Sequence, residues 1–373
     1  MHRHALSPRP DWAAKVEALG FDFHTLEGAP YWDEKAYFSL TAAQVDSLED
    51  AADELHRLCL EAVARVVAEG LYEVIGIPES VAAIVEASWR RRDPHLYGRF
   101  DLAWSGDGPP KLLEYNADTP TALFEAAVVQ WQWLQDLFPD ADQFNWIHEA
   151  LVERWAAMDL GESLHLAASA GHSEDQGTLR YLEATALEAG LAAKVLTMEQ
   201  IGWDGRRFVD GEDQPIRNLF KLYPWEWLLR EEFGNHVGGT DTRFVEPAWK
   251  VLLSGKGILA LLWEMFPGHP NLLPASGEAG AIEGRTVRKP LWGREGGNVA
   301  ILDENGMLLE ESPGPYGEEG WVYQAWHPLF ASAAGHAVAG VWVVGDKACG
   351  LGWREDDGAI TRNSSRFLPH LFR

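Results

Sequence analysis

Residues 98–104 and 111–116 each alternate in the period-two manner of a β-strand, and the turn-forming segment S-G-D-G-P-P separates them. The pattern predicts an antiparallel hairpin. A symmetric turn pairs Trp104 with Lys111 and so sets which side chains face each other along the hairpin. A shift by one residue would move every side chain to the other face, so the register decides which residues can act together.

In that register Asp101 lies opposite Glu114 and Arg99 lies opposite Asn116, all on one face. Two facing carboxylates destabilise a strand pair unless positive charge lies between them. A divalent cation supplies such charge, and carboxylate and amide oxygens are the ligands that Mg²⁺ prefers. The hairpin therefore predicts an Mg²⁺ site at Asp101, Glu114 and Asn116. The alternative is a solvated strand face on which Arg99 pairs with one of the carboxylates.

The rest of the sequence mixes helical and strand patterns. Apolar residues recur at threes and fours over residues 41–69 and 250–262, which predicts two helices. Residues 163–196 predict a β-α-β unit, and further strands are predicted between residues 286 and 345. This order indicates the α+β class, with mixed sheet lobes flanked by helices.

Charge and cysteine content narrow the functional class. The 31 basic and 57 acidic residues give a net charge of −26, which opposes binding of nucleic acid or anionic membrane over the general surface. Cys59 and Cys349 form no C-x-x-C, which argues against a disulfide framework or a thiolate zinc site. No signal peptide is recognisable, and no apolar run reaches the ~18 residues of a membrane span. We therefore expect a cytoplasmic protein. The sequence does not predict the oligomeric state.

Several basic residues are candidates for binding phosphate. Lys250 and Lys289 lie among apolar residues and need an anionic partner, for which a phosphate would serve. The alternative for each is a lysine that extends to solvent. Arg354 is predicted at the end of a strand, where it suits neutralisation of a transferring phosphoryl group or a surface salt bridge.

A glycine-rich segment, W-G-R-E-G-G-N at residues 292–298, is predicted between two strands. Its backbone N–H groups and Arg294 suit phosphate binding, and an ordinary hairpin loop is the alternative. The segment S-G-K-G at 254–257 lacks the G-x-x-x-x-G-K-[ST] pattern and lies inside a helical pattern, so we assign no phosphate site there. Neither H-E-x-x-H nor G-x-S-x-G occurs, which excludes the corresponding metalloproteases and serine hydrolases.

Taken together, these segments resemble the glutathionylspermidine synthase family, specifically its ATP-grasp synthetase module and stand-alone bacterial acid–amine ligases. The matching motifs run over most of the chain and are R-F-D (99–101), L-L-E-Y-N-A-D-T-P-T (112–121), L-Y-P-W-E-W (222–227), E-P-A-W-K (246–250), N-L-L-P-A (271–275), R-K-P-L-W-G-R-E-G-G-N (288–298) and S-R-F-L-P-H (365–370).

The resemblance implies a role for each candidate residue. It implies that two Mg²⁺ ions are bound by Asp101, Glu114 and Asn116, and that ATP is contacted by Lys250, Lys289, Gly296 and Gly297. It implies catalytic roles for Arg99, Arg294 and Arg354. The acid would bind at Thr119 and Thr121, and the amine at Glu174 and Asp175. For the last pair, favourable charge at a helix N-terminus is an equally good explanation.

The implied function is an ATP- and Mg²⁺-dependent ligase that joins an acid to an amine through an acyl phosphate. The acid would be a glutathione-like or peptide carboxylate, and the amine a polyamine or an amino acid. We expect one ATP-grasp module over residues 1–373, with lobes at 1–160, 161–245 and 246–373 and no amidase domain. The alternatives are an ATP-grasp phosphotransferase and a catalytically silent nucleotide-binding protein.

Overall fold

The structure is a computed structural model that describes residues 1–26, 28–161 and 163–373. Its α-helices are α1 (Trp12–Ala18), α2 (Ala42–Glu69), α3 (Glu79–Arg91), α4 (Gln130–Leu137), α5 (Ile147–Ala157), α6 (Ser173–Glu188), α7 (Trp225–Leu228), α8 (Val251–Ser254) and α9 (Ile258–Met265). Its strands are β1 (His2–Ala5), β2 (Thr25–Leu26), β3 (Ala29–Pro30), β4 (Ala36–Leu40), β5 (Tyr97–Ala103), β6 (Lys111–Asn116), β7 (Ser163–Ala168), β8 (Ala192–Thr197), β9 (Gly202–Trp203), β10 (Phe208–Val209), β11 (Asn218–Leu222), β12 (Arg243–Val245), β13 (Ala275–Ser276), β14 (Thr286–Pro290), β15 (Ala300–Leu302), β16 (Leu308–Glu311), β17 (Trp321–Ala325), β18 (Phe330–Ser332), β19 (Gly335–Val344), β20 (Lys347–Asp356), β21 (Arg366–Leu368) and β22 (His370–Phe372).

Four larger sheets organise these strands. An antiparallel six-stranded sheet has the order β21-β20-β19-β5-β6 with β18 beside β19, and an antiparallel five-stranded sheet has the order β13-β17-β14-β15-β16. A parallel four-stranded sheet, β12-β11-β7-β8, lies wholly within residues 163–245, and β1-β4-β22 form a three-stranded sheet. The six-stranded sheet joins strands before residue 117 to strands after residue 329, so early and late segments of the chain share one sheet.

The long helix α2 follows its sequence signals. Thr41 and Gln44 form a reciprocal capping box at its N-terminus, which satisfies backbone N–H groups that the helix leaves without partners. Gly70 ends the helix in the left-handed conformation that glycine adopts without steric cost. The predicted β-α-β unit is also present, because β7 and β8 pair in parallel and α6 connects them.

The hairpin of β5 and β6 has the predicted register at the end that carries Asp101 and Glu114, but not next to the turn. Asp101 lies opposite Glu114, as predicted. The predicted pairing of Trp104 with Lys111 is wrong, because Ala103 takes that position. Leu113 is an extra, unpaired residue in β6. This β-bulge shifts the pairing of the two strands by one residue between Asp101 and Leu102.

The single helix predicted over residues 250–262 is also wrong. It is two short helices, α8 and α9, separated at Gly255, Lys256 and Gly257. A Cβ at position 257 would overlap the backbone of Ile75, so the close approach of these segments requires glycine. No helix of the described residues is both long and apolar enough to cross a membrane.

Candidate functional site

A solvent-open cavity lies between the six-stranded and five-stranded sheets, with ≈ 1330 Å³ of empty space that includes open solvent. The walls include polar residues of β5 and β6, the helix break, β14, the glycine-rich loop and β20. Those with charged or amide side chains include Arg99, Asp101, Glu114, Asn116, Lys256, Lys289, Arg294, Gln324 and Arg354.

Arg99 and Asp101 form a bidentate ion pair on β5. Arg99 Nε lies 2.6 Å from Asp101 Oδ1, and Nη2 lies 3.0 Å from Oδ2. Arg99 Nη1 donates to the carbonyl of Thr121 at 2.5 Å, and Asn116 Nδ2 donates to Asp101 Oδ2 at 3.1 Å. Gly340 lies opposite Asp101 on β19, and a Cβ there would overlap the Arg99 side chain. The pair is therefore held rigidly at the cavity wall.

Glu114 is surrounded by cations. Lys256 Nζ lies 3.1 Å from its Oε2. Burial by itself would raise the pKa of Glu114, but Lys256, Lys289 and Arg99 outweigh it and hold the pKa at about 2. Glu114 is therefore ionised at neutral pH and presents a carboxylate to the cavity.

Lys289 lies at the base of the cavity. Its Nζ donates to the carbonyl of Leu113, the bulged residue of β6, at 2.7 Å and to Gln324 Oε1 at 2.8 Å. Burial lowers the pKa of Lys289 to about 8, with Glu114 opposing and Lys256 adding to the decrease. The bulged residue thus supplies a hydrogen-bond acceptor to Lys289.

Sequence reasoning missed Lys256. It was excluded because its segment looked helical, yet the helix break directs its Nζ towards Glu114 and the carbonyl of Gly293, which it reaches at 2.7 Å. The signal was present in the sequence as glycines on both sides of the lysine.

Lys250 lies elsewhere. The prediction that its charge requires a phosphate is not supported, because its Nζ is fully buried, lies 2.8 Å from Glu246 Oε2 and donates to the carbonyl of Tyr97 at 2.6 Å. Glu246 is already its anionic partner. Among the described residues, Lys250 is not part of the cavity wall.

The glycine-rich loop forms one side of the cavity through Gly296 and Gly297. Arg294 reaches from this loop to Glu226 Oε1 at 2.8 Å and to Thr119 Oγ1 at 2.6 Å. Thr119 and Thr121, the predicted acid pocket, both line the cavity. The loop and the segment after β6 are thereby tied together by Arg294.

Gly296→Ala is expected to destabilise the loop and to weaken ligand binding in the cavity. Gly296 has φ = +69°, and a Cβ there would overlap the carbonyl oxygen of Thr361. We expect a loss of about 1–3 kcal/mol in unfolding free energy, measured by urea denaturation. Gly306→Ala is the matched control, because Gly306 has φ = +78° with open space around its Cβ position. Equal losses in the two variants would contradict the contact with Thr361.

Arg354 extends from β20 into the cavity. Its guanidinium donates to the backbone carbonyls of Arg362, Asn363 and Ser365 at 2.9–3.0 Å and lies 5.0 Å above the ring of Tyr31. Among the described residues no carboxylate lies within ion-pair distance of it. Neutral groups hold the guanidinium of Arg354 in place, and its positive charge remains available to bind an anion.

Glu174 and Asp175 occupy the first turn of α6 and are not part of the cavity wall. Burial and the nearby charge of Glu125 together raise the pKa of Glu174 to about 8, with the Arg354 guanidinium opposing the increase. Tyr31 donates to Glu125 Oε1 at 2.6 Å. The structure thus places the predicted amine pair outside the wall of the main cavity, with Glu174 close enough to Arg354 for their charges to interact.

The Asp101, Glu114 and Asn116 set has the donor chemistry that Mg²⁺ prefers. Two carboxylates and an amide from adjacent strands face one cavity. In this structure Arg99 forms an ion pair with Asp101, and Lys256 forms one with Glu114. These three residues therefore fit an Mg²⁺ ion if Lys256 turns from Glu114 towards a phosphate.

Comparison with known proteins places the chain in a family. The family model for "Glutathionylspermidine synthase preATP-grasp" matches residues 3–373. The chain belongs to the glutathionylspermidine synthase family. A Haemophilus influenzae protein described as a candidate acid–amine ligase is 44% identical, over 98% of this chain and 97% of that protein. The resemblance seen in the motifs is thus confirmed.

Longer members of the glutathionylspermidine synthase family match over part of their length. The trypanothione synthetase of Crithidia fasciculata is 30% identical over 84% of this chain and 53% of its own, and the bifunctional glutathionylspermidine synthetase/amidase of Escherichia coli is 25% identical over 89% and 58%. The chain therefore spans a little over half the length of these two relatives. The prediction of an ATP-dependent C–N ligase is confirmed by these ligases and synthetases.

Among solved structures, a glutathione synthetase-like effector of Globodera pallida matches 90% of this chain and 89% of its own, with a TM-score of 0.57 at 10% identity. At that identity the likeness describes the fold alone. The mixed α/β architecture with several sheets is therefore of the glutathione synthetase type.

Proposed function

We propose that this member of the glutathionylspermidine synthase family uses ATP and Mg²⁺ on an ATP-grasp fold to join a carboxylic acid to an amine through an acyl phosphate. The observation that carries the proposal is the set of cations from separate segments, Lys256, Lys289, Arg294 and Arg354, facing one open cavity. Such a concentration of positive charge in a strongly acidic protein is suited to a polyanionic ligand.

The phosphates of ATP would lie between Lys256, Lys289 and the loop containing Gly296 and Gly297. Lysines act as point charges towards phosphate oxygens, and the backbone N–H groups of a glycine-rich loop donate to them. Asp101, Glu114 and Asn116 would hold two Mg²⁺ ions, which supply neutralisation of phosphate charge. Arg99 holds Asp101 in place through its bidentate pair.

In the first step an oxygen of the acid's carboxylate bonds to the γ-phosphorus of ATP, and the bond to the β-phosphate oxygen breaks to release ADP. In the second step the neutral amine attacks the acyl carbon, the C–N bond forms, phosphate leaves and the nitrogen loses a proton. Arg354 stabilises charge on the phosphoryl oxygens during transfer. The site needs positioning and electrostatics, and no nucleophilic side chain.

The proposed acid is a glutathione-like or peptide carboxylate bound near Thr119 and Thr121. Arg294 would turn from Glu226 to this carboxylate when the loop closes. The proposed amine is a polyamine or an amino acid near Glu174 and Asp175. A polyamine is favoured by the net charge of −26, because an acidic surface attracts a cationic substrate. In this proposal residues 1–373 act as one cytoplasmic module with the lobes predicted above.

The ATP step is expected to weaken as pH rises through about 8. The pKa of Lys289 is lowered to about 8, so its positive charge is lost above that pH. In Lys256→Met the fall is expected at higher pH, because Lys256 is one of the charges that lower the pKa of Lys289. The measurement is kcat/KM for ATP against pH, with Lys347→Met, a surface variant, as control. Identical profiles for the native enzyme and Lys256→Met would contradict the assignment.

The test of the proposed function is a matrix of acids and amines scored for ADP release. We expect ADP release that requires both partners, with an amide product of matching mass. ADP release with one partner and a stable phosphorylated product would instead identify a phosphotransferase. No turnover with any pair, together with unchanged ATP affinity in Lys289→Met, would refute the ligase proposal.

A further inference from the structure

Two histidines and an aspartate from separate segments meet away from the cavity described above. His56 lies on α2, His95 precedes β5 and Asp346 lies in the turn between β19 and β20. His56 Nε2 and His95 Nε2 each lie 3.2 Å from Asp346 Oδ1. One atom of each residue lies within 4.8 Å of the other two.

The two 3.2 Å separations between the imidazoles and Asp346 match a metal coordination shell. Ligands at about 2.0–2.2 Å from a tetrahedral Zn²⁺ lie roughly 3.3 Å from one another. His56 and His95 are almost fully buried, whereas the Asp346 side chain is 65% exposed. A metal bound by the three would therefore have buried imidazoles on one side and access to solvent on the other.

The surroundings hold the His56 ring and the backbone of His95 in position for coordination. Tyr115 Oη lies 3.3 Å from His56 Nδ1, so this ring has a hydrogen-bond partner on the nitrogen that faces away from Asp346. Metal-binding histidines usually have such a partner on the second nitrogen. Arg154 Nε donates to the carbonyl of His95 at 2.8 Å and fixes the backbone that carries that ring. Burial lowers the pKa of His95 to about 3, which keeps its imidazole neutral, the form that binds metals.

We propose that His56, His95 and Asp346 bind one divalent transition-metal ion, with Zn²⁺ as the best match and water in the fourth position. Imidazole nitrogen favours Zn²⁺ over Mg²⁺, so the site is chemically distinct from the all-oxygen set at Asp101, Glu114 and Asn116. The bound ion joins α2, the start of β5 and the β19–β20 turn. Through Tyr115, which lies between Glu114 and Asn116 on β6, it also braces the strand that carries the cavity's acidic residues.

The test uses the full chain, stripped of metal by a chelator and kept in excess Mg²⁺. Titration with Co²⁺ is expected to give one bound ion per chain with the intense visible absorption of tetrahedral coordination, and Zn²⁺ is expected to displace it. Asp346→Asn is expected to weaken Co²⁺ binding by at least about 10²-fold, because removing even an outer partner of a metal ligand costs about 10–100-fold. Asp346 is exposed, so this variant keeps the fold, which far-UV circular dichroism checks.

His148→Gln is the matched control and is expected to bind Co²⁺ as the native chain does, because His148 pairs with Glu188 and lies outside the cluster. Tyr115→Phe is expected to weaken binding about 10-fold. Absence of the tetrahedral spectrum in the native chain, or equal affinity in the native chain and Asp346→Asn, would overturn the proposal.

Discussion

Replacing Arg354 with alanine is expected to lower kcat for amide formation about 10³-fold, the lower end of the effect of an arginine that stabilises a transferring phosphoryl group. Arg354 lines the cavity, and in the part of the chain that the structure describes its guanidinium is held by neutral carbonyls and the Tyr31 ring. Its charge is therefore directed at the ligand. The effect is expected in kcat more than in KM for ATP, because the phosphoryl group gains charge interactions with Arg354 during transfer.

Two further variants separate this role from a structural one. Arg354→Lys keeps the charge but loses the planar donor set, so we expect a partial recovery of kcat. Arg207→Ala removes an exposed arginine that pairs with Asp204, and we expect native kinetics from it. The role assigned to Arg354 would be refuted by an alanine variant that is folded and retains kcat within a few fold of the native enzyme.

Lys221→Met is expected to lower the free energy of unfolding by about 3–5 kcal/mol, since it leaves one partner of a buried ion pair without its counter-charge. Lys221 Nζ lies 2.6 Å from Asp118 Oδ1, and both side chains are almost completely buried. Asp118 Oδ2 also accepts from the backbone N–H of Trp225 at 2.8 Å. Asp118 lies between Asn116 and Thr119, so the pair anchors this cavity segment to β11 of the parallel sheet.

The pH dependence of this loss provides an internal check. Burial raises the pKa of Asp118, and removing Lys221 raises it further, so the folded variant binds a proton more tightly than the unfolded chain. Its stability therefore falls as pH rises through the range between the two pKa values, and the deficit shrinks in acid. Urea denaturation at several pH values measures this, with Lys347→Met as the exposed control. A loss below about 1 kcal/mol, typical of a surface pair, would contradict the account.

The β5–β6 hairpin shows which structural features local sequence signals can predict and which they cannot. Alternation and turn residues predicted that Asp101 faces Glu114, because both signals act over a few residues. The bulge at Leu113 was not predicted, because the contact that uses it comes from Lys289 on a different sheet. Strand pairing with β19 and the room that Gly340 leaves for Arg99 likewise depend on distant parts of the chain.

The two lysines of the helical region show the same limit. Lys250 was predicted at phosphate, yet Glu246 four residues earlier is its partner. Glu246 and the extended Pro247 precede the helical turn that carries Lys250, so a helical spacing rule does not predict this pair. Lys256 was excluded because apolar periodicity continued across Gly255 and Gly257. The break there arises from close packing on Ile75, which the sequence alone does not specify.

The most direct test of the proposed chemistry traces the transfer of a carboxylate oxygen from the acid to phosphate. The acid that supports turnover would be labelled with ¹⁸O in its carboxylate, and the phosphate released during amide formation would be analysed by mass spectrometry. Attack of the carboxylate on the γ-phosphorus transfers one carboxylate oxygen to phosphate, so we expect one ¹⁸O atom per phosphate from doubly labelled acid. Unlabelled phosphate accompanying amide formation would contradict the acyl-phosphate route and, with it, the role assigned to this cavity.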